Sequence, residues 1–515
     1  MDVRGLMRQS AVFNSRRPAI VHGDVRLTYA EAWERGLRMA NGLLALGLQP
    51  GDRVGVLEDN SIGAQDMFAG AGAAGLVRVP LYARNSVESH KYMLEHTGCR
   101  AVVVEEHYRD DIEAIRDELP ELEHVLVRDH TYEQWLKSQS RIDPDVPIDP
   151  DDTYIIRHSG GTTGRPKGVA YTHRSWLAAG RDWFYNFPPM QAGDPCLHMG
   201  PISHGSGYLY TPTWLSGGVN ILLDQFDPDA VIDVMATERV SYMFCVPAML
   251  NALTRLPAAR EHDWAALKVI QLGGAPVTDK TALLAREIFG PTLYQGYGQT
   301  EALPVCMMGP QEWFSDVEGS SPLRSAGRAL PFAYLQIRDP DNSSVVLDIG
   351  SEGEIAIRCD GQMLGFWNNP DATAERMTQD QFVLTGDIGK LDQNGYLYVL
   401  DRKDDMIISG GFNIWPAELE NVIQGHPAVV EVAVVSVPHV RWGESSLALC
   451  VIEEGAAVSE QDIIDLCADQ LGSYKKPSAV QFRTTPLPKS PVGKVQRKVL
   501  REPFWEGHER RVSGN

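Results

Sequence analysis

The sequence predicts an α/β protein whose larger part is built on parallel sheets covered by helices and whose last part is a small α+β unit. Three observations carry that prediction. Helically spaced apolar stretches alternate with short apolar strand-like runs through the first two thirds of the chain, and one such run ends in a glycine turn. Beyond Asp387 the texture changes to short strands separated by turn residues. At 515 residues the chain also exceeds what one core supports, so roughly two to four domains or subdomains are expected.

In order, residues 30–47 place apolar side chains at helical spacing and residues 54–57 read as a buried strand. Residues 62–79 form another helix-to-strand unit, and 101–104 a further strand. Such alternation favours a parallel sheet. In the middle third, 219–223 is a strand, 228–238 a helix capped by Asp227, and 242–246 the next strand. Residues 269–272 then end in Gly273-Gly274-Ala275-Pro276, a tight turn at a strand's carboxyl end, where open parallel sheets bind ligands. After the turn at 392–395 comes a strand over 396–400. The charged segment Asp401-Arg402-Lys403-Asp404-Asp405 reads as a surface boundary. Beyond it the spacing predicts a helix over 416–424, strands over 429–437 and 447–452, and a helix over 460–471.

The apolar fraction of 43% is that of an ordinary globular protein. A net charge of −21 argues against nucleic acid as a partner, because such surfaces need clustered cations. No run of about 18 apolar residues and no signal pattern occurs, so no membrane span and a cytoplasmic location are expected. The seven cysteines form no C-x-x-C pair, and buried thiols are the reading for all of them. Basic residues gather toward the carboxyl end, among them Arg441, Lys475, Lys476, Lys494 and Arg497. Either a solvated face or a channel for an anionic ligand accounts for them.

Ser159-Gly160-Gly161-Thr162-Thr163-Gly164-Arg165-Pro166-Lys167-Gly168 reads as a phosphate loop. Glycines let the backbone approach an anion, hydroxyls add donors, and Arg165 and Lys167 supply charge. The loop of common ATPases is excluded, since Pro166 precedes Lys167 and Gly168 follows it. No dinucleotide fingerprint can be drawn through it either. A flexible linker is the alternative, and the strand-like run that follows at once weighs against it.

Four further segments accompany the loop: Tyr297-Gly298-Gln299-Thr300-Glu301, Thr385-Gly386-Asp387, Asp401-Arg402, and Ser490-Pro491-Val492-Gly493-Lys494. With Ile408-Ser409-Gly410-Gly411-Phe412-Asn413-Ile414 and Pro416-Ala417-Glu418-Leu419-Glu420, they resemble the adenylate-forming superfamily in order and spacing over essentially the whole chain. That superfamily includes acyl-CoA synthetases, peptide-synthetase adenylation domains and firefly luciferase. The resemblance implies stacked parallel-rich sheets with helices and a small β-barrel-like part over residues 1–403. A small mobile α+β domain over 404–515 would follow, hinged at Asp404.

It also implies roles. Thr162, Thr163, Gly164 and Lys167 would hold the β- and γ-phosphates of ATP, while Gly274, Ala275, Pro276, Tyr297 and Gly298 would enclose the adenine. Thr300 would stand near the α-phosphate, Glu301 would carry the magnesium ion, Asp387 would take the ribose hydroxyls, and Arg402 would help hold the nucleotide. Lys494 would bridge the acid's carboxylate and the α-phosphate in the first half-reaction. The acyl site would involve His204, Gly205, Gly273, Gln295 and Gly296, with walls at 203–207, 242–246 and 273–274. Ser409, Gly410 and Gly411 would admit the pantetheine arm of coenzyme A after domain rotation.

The chemistry requires such residues. A carboxylate attacks the α-phosphorus, two anions must approach, and pyrophosphate must leave, so positive charge has to be supplied. The activity implied is a carboxylic acid:CoA ligase forming AMP. An acyl-AMP ligase that passes the acyl group to a carrier protein is the alternative, and a nucleotide-binding protein without catalysis is a third reading. A homodimer is compatible with the resemblance. Gly160 departs from it, since many members have serine there; weaker or altered pyrophosphate contacts are expected.

Overall fold

The structure, a computed structural model, describes residues 1–159, 166–403, 405–409, 412–453, 455–472, 475–489 and 495–506, the side chains of Phe412 and Asn413 excepted. Two parallel-rich sheets dominate the amino-terminal part. One has nine strands, with Val269–Leu272, Tyr242–Cys245, Pro195–His198, Val219–Leu222 and Pro18–His22 parallel at its centre and antiparallel strands at both edges. The other has seven, and Val77–Pro80, Arg53–Leu57, Cys99–Glu105 and His124–Arg128 run parallel in it.

Helices Val3–Phe13, Tyr29–Ala45, Ile62–Ala74, His173–Tyr185 and Gly207–Leu215 bury side chains in one cluster with residues of both sheets, so they form the layer between them. Asp227 caps its helix as expected, accepting from the Ala230 N–H at 2.9 Å, and Thr28 forms a capping box with Glu31. Asn60, just past the strand Arg53–Leu57, stitches the sheets together. Its amide lies within 3.0 Å of the carbonyls of His198, Gly200 and Leu223, and its Oδ1 accepts from the Ile202 N–H at 2.8 Å. That clamp fixes the segment leading into His204.

A four-stranded antiparallel sheet, Ala333–Arg338, Gly353–Cys359, Val383–Leu391 and Leu397–Arg402, supplies the smaller β part. The carboxyl-terminal unit is a further sheet under the helices Pro416–Gln424 and Glu460–Leu471, with its own buried cluster around Ile407, Leu419, Val434, Cys450 and Ile463. All seven cysteines are buried free thiols. Among the described residues no helix is long and apolar enough to cross a membrane.

Two expectations are corrected. The strand expected from 447 begins four positions earlier, as Gly443–Ile452, because its polar residues find partners: Glu444 Oε1 accepts from the Ile408 N–H and Ser446 Oγ donates to the Lys476 carbonyl. The segment 401–405 is not simply a surface boundary. Asp401 is buried, the Ala417 N–H reaches its Oδ2 at 2.9 Å, and Arg497 reaches its Oδ1 at 3.1 Å.

Candidate active site

The strand Leu293–Gln299 runs beside Val269–Leu272, with Leu272 opposite Gln295, so Gly273-Gly274-Ala275-Pro276 leaves the sheet alongside Gly296 and Tyr297. Gly274 has φ +85°, in the left-handed region that favours glycine. A Cβ on Gly273 would stand 3.5 Å from the Gly296 carbonyl oxygen, and one on Gly298 would stand 2.8 Å from Leu303 Cβ. Glycine is therefore required at 274 by its backbone and at 298 by close packing, while Gly273 leaves room. The same strand turns back into Ala302–Met308 with Gln299 opposite Ala302, which leaves Thr300 and Glu301 as the hairpin tip.

Asp387 is the hub of the next layer. Arg402 Nε lies 2.8 Å from its Oδ1, and Tyr297 Oη and Gln299 Nε2 each donate to Oδ2 at 2.7 Å. Asp387 and Arg402 are register partners on the strands Val383–Leu391 and Leu397–Arg402, so the pair is set by the sheet. Gln299 Nε2, Arg376 Nη2 and Arg402 Nη1 also reach the Thr385 carbonyl. Burial and the adjoining Asp387 carboxylate push the Tyr297 hydroxyl well above the ordinary tyrosine range, so it stays a donor.

The hairpin tip meets Ser159, where the glycine-rich segment begins. Ser159, the first residue of that segment, donates from Oγ to Glu301 Oε1 at 3.2 Å, and Glu301 is only 7% exposed. Tyr171 Oη donates to the Thr300 carbonyl. Ser159 and Lys167 are register partners, which fixes both ends of the loop, and Lys167 Nζ lies 5.1 Å from the Phe366 ring centroid. Thr162, Thr163 and Gly164 lie outside the described residues, as do Gly160, Asp404, Gly410, Gly411 and Lys494.

Strand alternation sorts the acyl-site candidates. Tyr242, Val269 and Tyr294 share the cluster between the sheets, whereas Met243, Ile270 and Leu293 belong to the cluster on the far face. Phe244, Gln271, Gly273 and Gly296 follow the first set. A Cβ on Gly205 would stand 2.9 Å from Phe244 Cε1, and one on Gly296 would stand 2.5 Å from Gln271 Nε2 and 3.2 Å from Trp183 Cζ3. Gly205, Gly273 and Gly296 are thus brought together around Phe244, Gln271 and Trp183. Gln295 is not, since it points to the opposite face with Leu293. His204 stands edge-on to Tyr82, with ring centroids 5.1 Å apart, and its Nδ1 accepts from Arg157 Nη2 at 3.0 Å.

Ser409 pairs with Gly443 where the carboxyl-terminal sheet begins. Beside it, at the tip of the next hairpin, Trp442 is 44% exposed and stacks on His439 with ring centroids 4.4 Å apart. Around the expected hinge, Arg497 reaches Asp401, Asp405 and Glu420 at 3.1, 3.3 and 2.6 Å. Burial nevertheless raises the Asp401 carboxyl to about 6.

Gln299, Arg376, Trp183, Gln271 and Arg157 join the site without having been expected there. Gln299 stands inside one of the family motifs, and Arg157 carries a signal of its own as a charge in the apolar strand Thr153–Ser159. Nothing in the sequence marks Arg376 or Trp183.

The AMP-binding enzyme family model matches residues 7–367, and the AMP-binding enzyme C-terminal domain model matches residues 418–494. The chain is 34% identical over 510 residues to the long-chain-fatty-acid–CoA ligase FadD13 of Mycobacterium tuberculosis, covering 98% of each. It is 34% identical over 490 residues to a feruloyl-CoA synthase of Amycolatopsis sp, covering 94% of this chain and 96% of that one. Among solved structures, ATP-bound MatB from Rhodopseudomonas palustris superposes with a TM-score of 0.89 at 29% identity, covering 99% of this chain and 100% of that one.

Proposed function

The chain belongs to the AMP-binding enzyme family, and on that premise we propose that its site activates a carboxylic acid with ATP, releases pyrophosphate, and transfers the acyl group to the thiol of coenzyme A. One observation carries the reading: the Asp387 hub and the Thr300–Glu301 tip meet beside Ser159, at the root of the glycine-rich loop. This is a site for a nucleotide with its phosphates directed at the loop.

A carboxylate oxygen bonds to the α-phosphorus as the bond to pyrophosphate breaks, and the thiolate then attacks the acyl carbon with AMP leaving. The strand-end glycines with Ala275 and Pro276 suit the flat adenine beside Tyr297. Asp387, with an acceptor position on Oδ1 that no donor among the described residues takes besides Arg402, suits a ribose hydroxyl. Thr300 serves the α-phosphate. Thr162, Thr163, Gly164 and Lys167 serve the leaving pyrophosphate, and Lys494 neutralises the incoming carboxylate. His204, Gly205, Gly273 and Gly296 form the acyl site, and the aromatic walls Phe244 and Trp183 favour a bulky aliphatic, alicyclic or aromatic acid. Ser409, Gly410 and Gly411 serve the pantetheine arm.

Glu301 fits magnesium, which takes one or two carboxylates with phosphate oxygens and water. The ion would offset charge on the departing pyrophosphate. A domain boundary at 403/404, with Asp404 as hinge, is supported by the strand Leu397–Arg402 ending one sheet and Ile407–Ser409 beginning another. Seven free thiols suit a reducing compartment such as the cytoplasm.

Pyrophosphate release measured over a panel of acids, with and without coenzyme A, tests the proposal. Release with formation of the acyl-CoA is expected. Release without a thioester would favour transfer to a carrier protein, and no release with any acid would leave a nucleotide-binding protein without catalysis.

A further inference from the structure

Arg157 is a buried cation to which the roles above give no task. It is 1% exposed, on the strand Thr153–Ser159, two residues before the glycine-rich loop. No ion pair with a carboxylate forms there among the described residues. Its guanidinium lies 4.3 Å from the centroid of the Tyr208 ring and 6.0 Å from that of Trp176. Nη2 donates to His204 Nδ1 at 3.0 Å, while Nε and Nη1 have no hydrogen-bond partner among the described residues. Faces of aromatic rings offset only part of what it costs to bury a cation without a counter-charge. An anion that reaches this pocket would supply the rest.

The contact with His204 has one chemical reading. Arginine has donors and no acceptor, so Nδ1 must present its lone pair, and a neutral imidazole must then carry its proton on Nε2. Protonating the ring would set two donors and two like charges against each other at 3.0 Å. Among the described residues the hydroxyls of Tyr82, Tyr171 and Tyr208 pack around Arg157, and the Glu301 carboxylate acts on Tyr208 from the hairpin tip.

We infer that Arg157 is a positioning residue for the acid: it holds His204 as the Nε2–H tautomer, a neutral donor to the carboxylate, and lends the acyl site the positive potential that draws the carboxylate in. This rests on the acyl-site role proposed for His204.

Nitrogen NMR of protein labelled with 15N-histidine, with His204→Gln used to assign the signal, reads the tautomer without any catalysis. The wild type should show a bare Nδ1 and a protonated Nε2 at His204, and Arg157→Met should show mixed or charged forms. In pyrophosphate release, Arg157→Met should raise KM for the acid about ten- to a hundredfold, and Arg157→Lys, which keeps a cationic donor, should recover part of the loss. KM for ATP should stay within about twofold. An Nδ1–H or doubly protonated His204 in the wild type would overturn the inference. So would a folded Arg157→Met, checked by thermal melting, with unchanged KM for the acid. If Arg157→Met does not fold, the wild-type spectrum and Arg157→Lys decide. Absence of pyrophosphate release with every acid would sink the proposed function, while the NMR spectra would still decide whether Arg157 sets the His204 tautomer.

Discussion

Arg402 Nε lies 2.8 Å from Asp387 Oδ1 across a register pair of the small sheet, on the last strand before the carboxyl-terminal unit. The residue that fixes the carboxylate proposed to bind the nucleotide therefore also ends the strand that leads to the expected hinge. Any rotation of the following unit pivots next to this pair.

Asp387→Asn should test the hub. It removes the charge that orients Arg402 and turns one acceptor oxygen into a donor facing either Tyr297 and Gln299 or Arg402. A rise in KM for ATP of at least about tenfold and a stability loss of about 1–3 kcal/mol are expected, read by pyrophosphate release and urea unfolding. Unchanged KM for ATP would contradict the assignment.

Glu301→Gln separates fold from metal. The amide oxygen can still accept from Ser159, so unfolding should shift by no more than about 1 kcal/mol. Turnover should fall by about a hundredfold or more, with the magnesium concentration for half-maximal rate displaced upward. A variant with the wild-type magnesium dependence would remove Glu301 from the metal site.

Four buried histidines make stability depend on pH; burial lowers His90 as well as the three displaced furthest. Burial lowers His158 to about 3, and His173 and His198 to about 4. Unfolded, each takes up a proton near the ordinary histidine value of about 6.5, so the unfolded chain binds more protons below it. Stability from this source is complete above that value. It is lost as pH falls toward 4, by up to about 4 kcal/mol per pH unit for three sites. Urea midpoints from pH 8 to pH 5 check the sign, and His158→Phe should reduce the slope, while Asp401, raised to about 6, opposes it below pH 6.

Arg497→Met should loosen the segment that flanks the proposed hinge. Asp401, Asp405 and Glu420 would lose their shared cation, at a cost of about 3 kcal/mol. Limited proteolysis near residues 403–406 should accelerate relative to the wild type. Equal cleavage rates would show that this cluster does not hold the segment.

Local signals carried much of the fold. The helices Pro416–Gln424 and Glu460–Leu471 have the expected bounds because proline at the first turn and a Ser459–Asp462 capping box announce their starts. The motifs singled out for their order also converge in space, with Tyr297, Thr300, Glu301, Asp387 and Arg402 gathered from distant segments around the site proposed for the nucleotide. What stayed hidden depends on partners far along the chain. Asp401 reads as surface charge until Arg497 arrives from the last helix, and Arg157 reads as an oddity in a strand until His204, 47 residues on, accepts from it. The resemblance implies both Gln295 and Gly296 for the acyl site, yet a strand sends neighbours to opposite faces.

Every role proposed for the site depends on a carboxylate oxygen attacking the α-phosphorus. Turnover with an acid carrying 18O in both carboxylate oxygens, followed by mass spectrometry of the nucleotide, reads that step directly. One 18O atom should appear in AMP, left there when the thiol displaces it from the acyl group. Unlabelled AMP, or label in a phosphate released with ADP, would contradict adenylation of the acid.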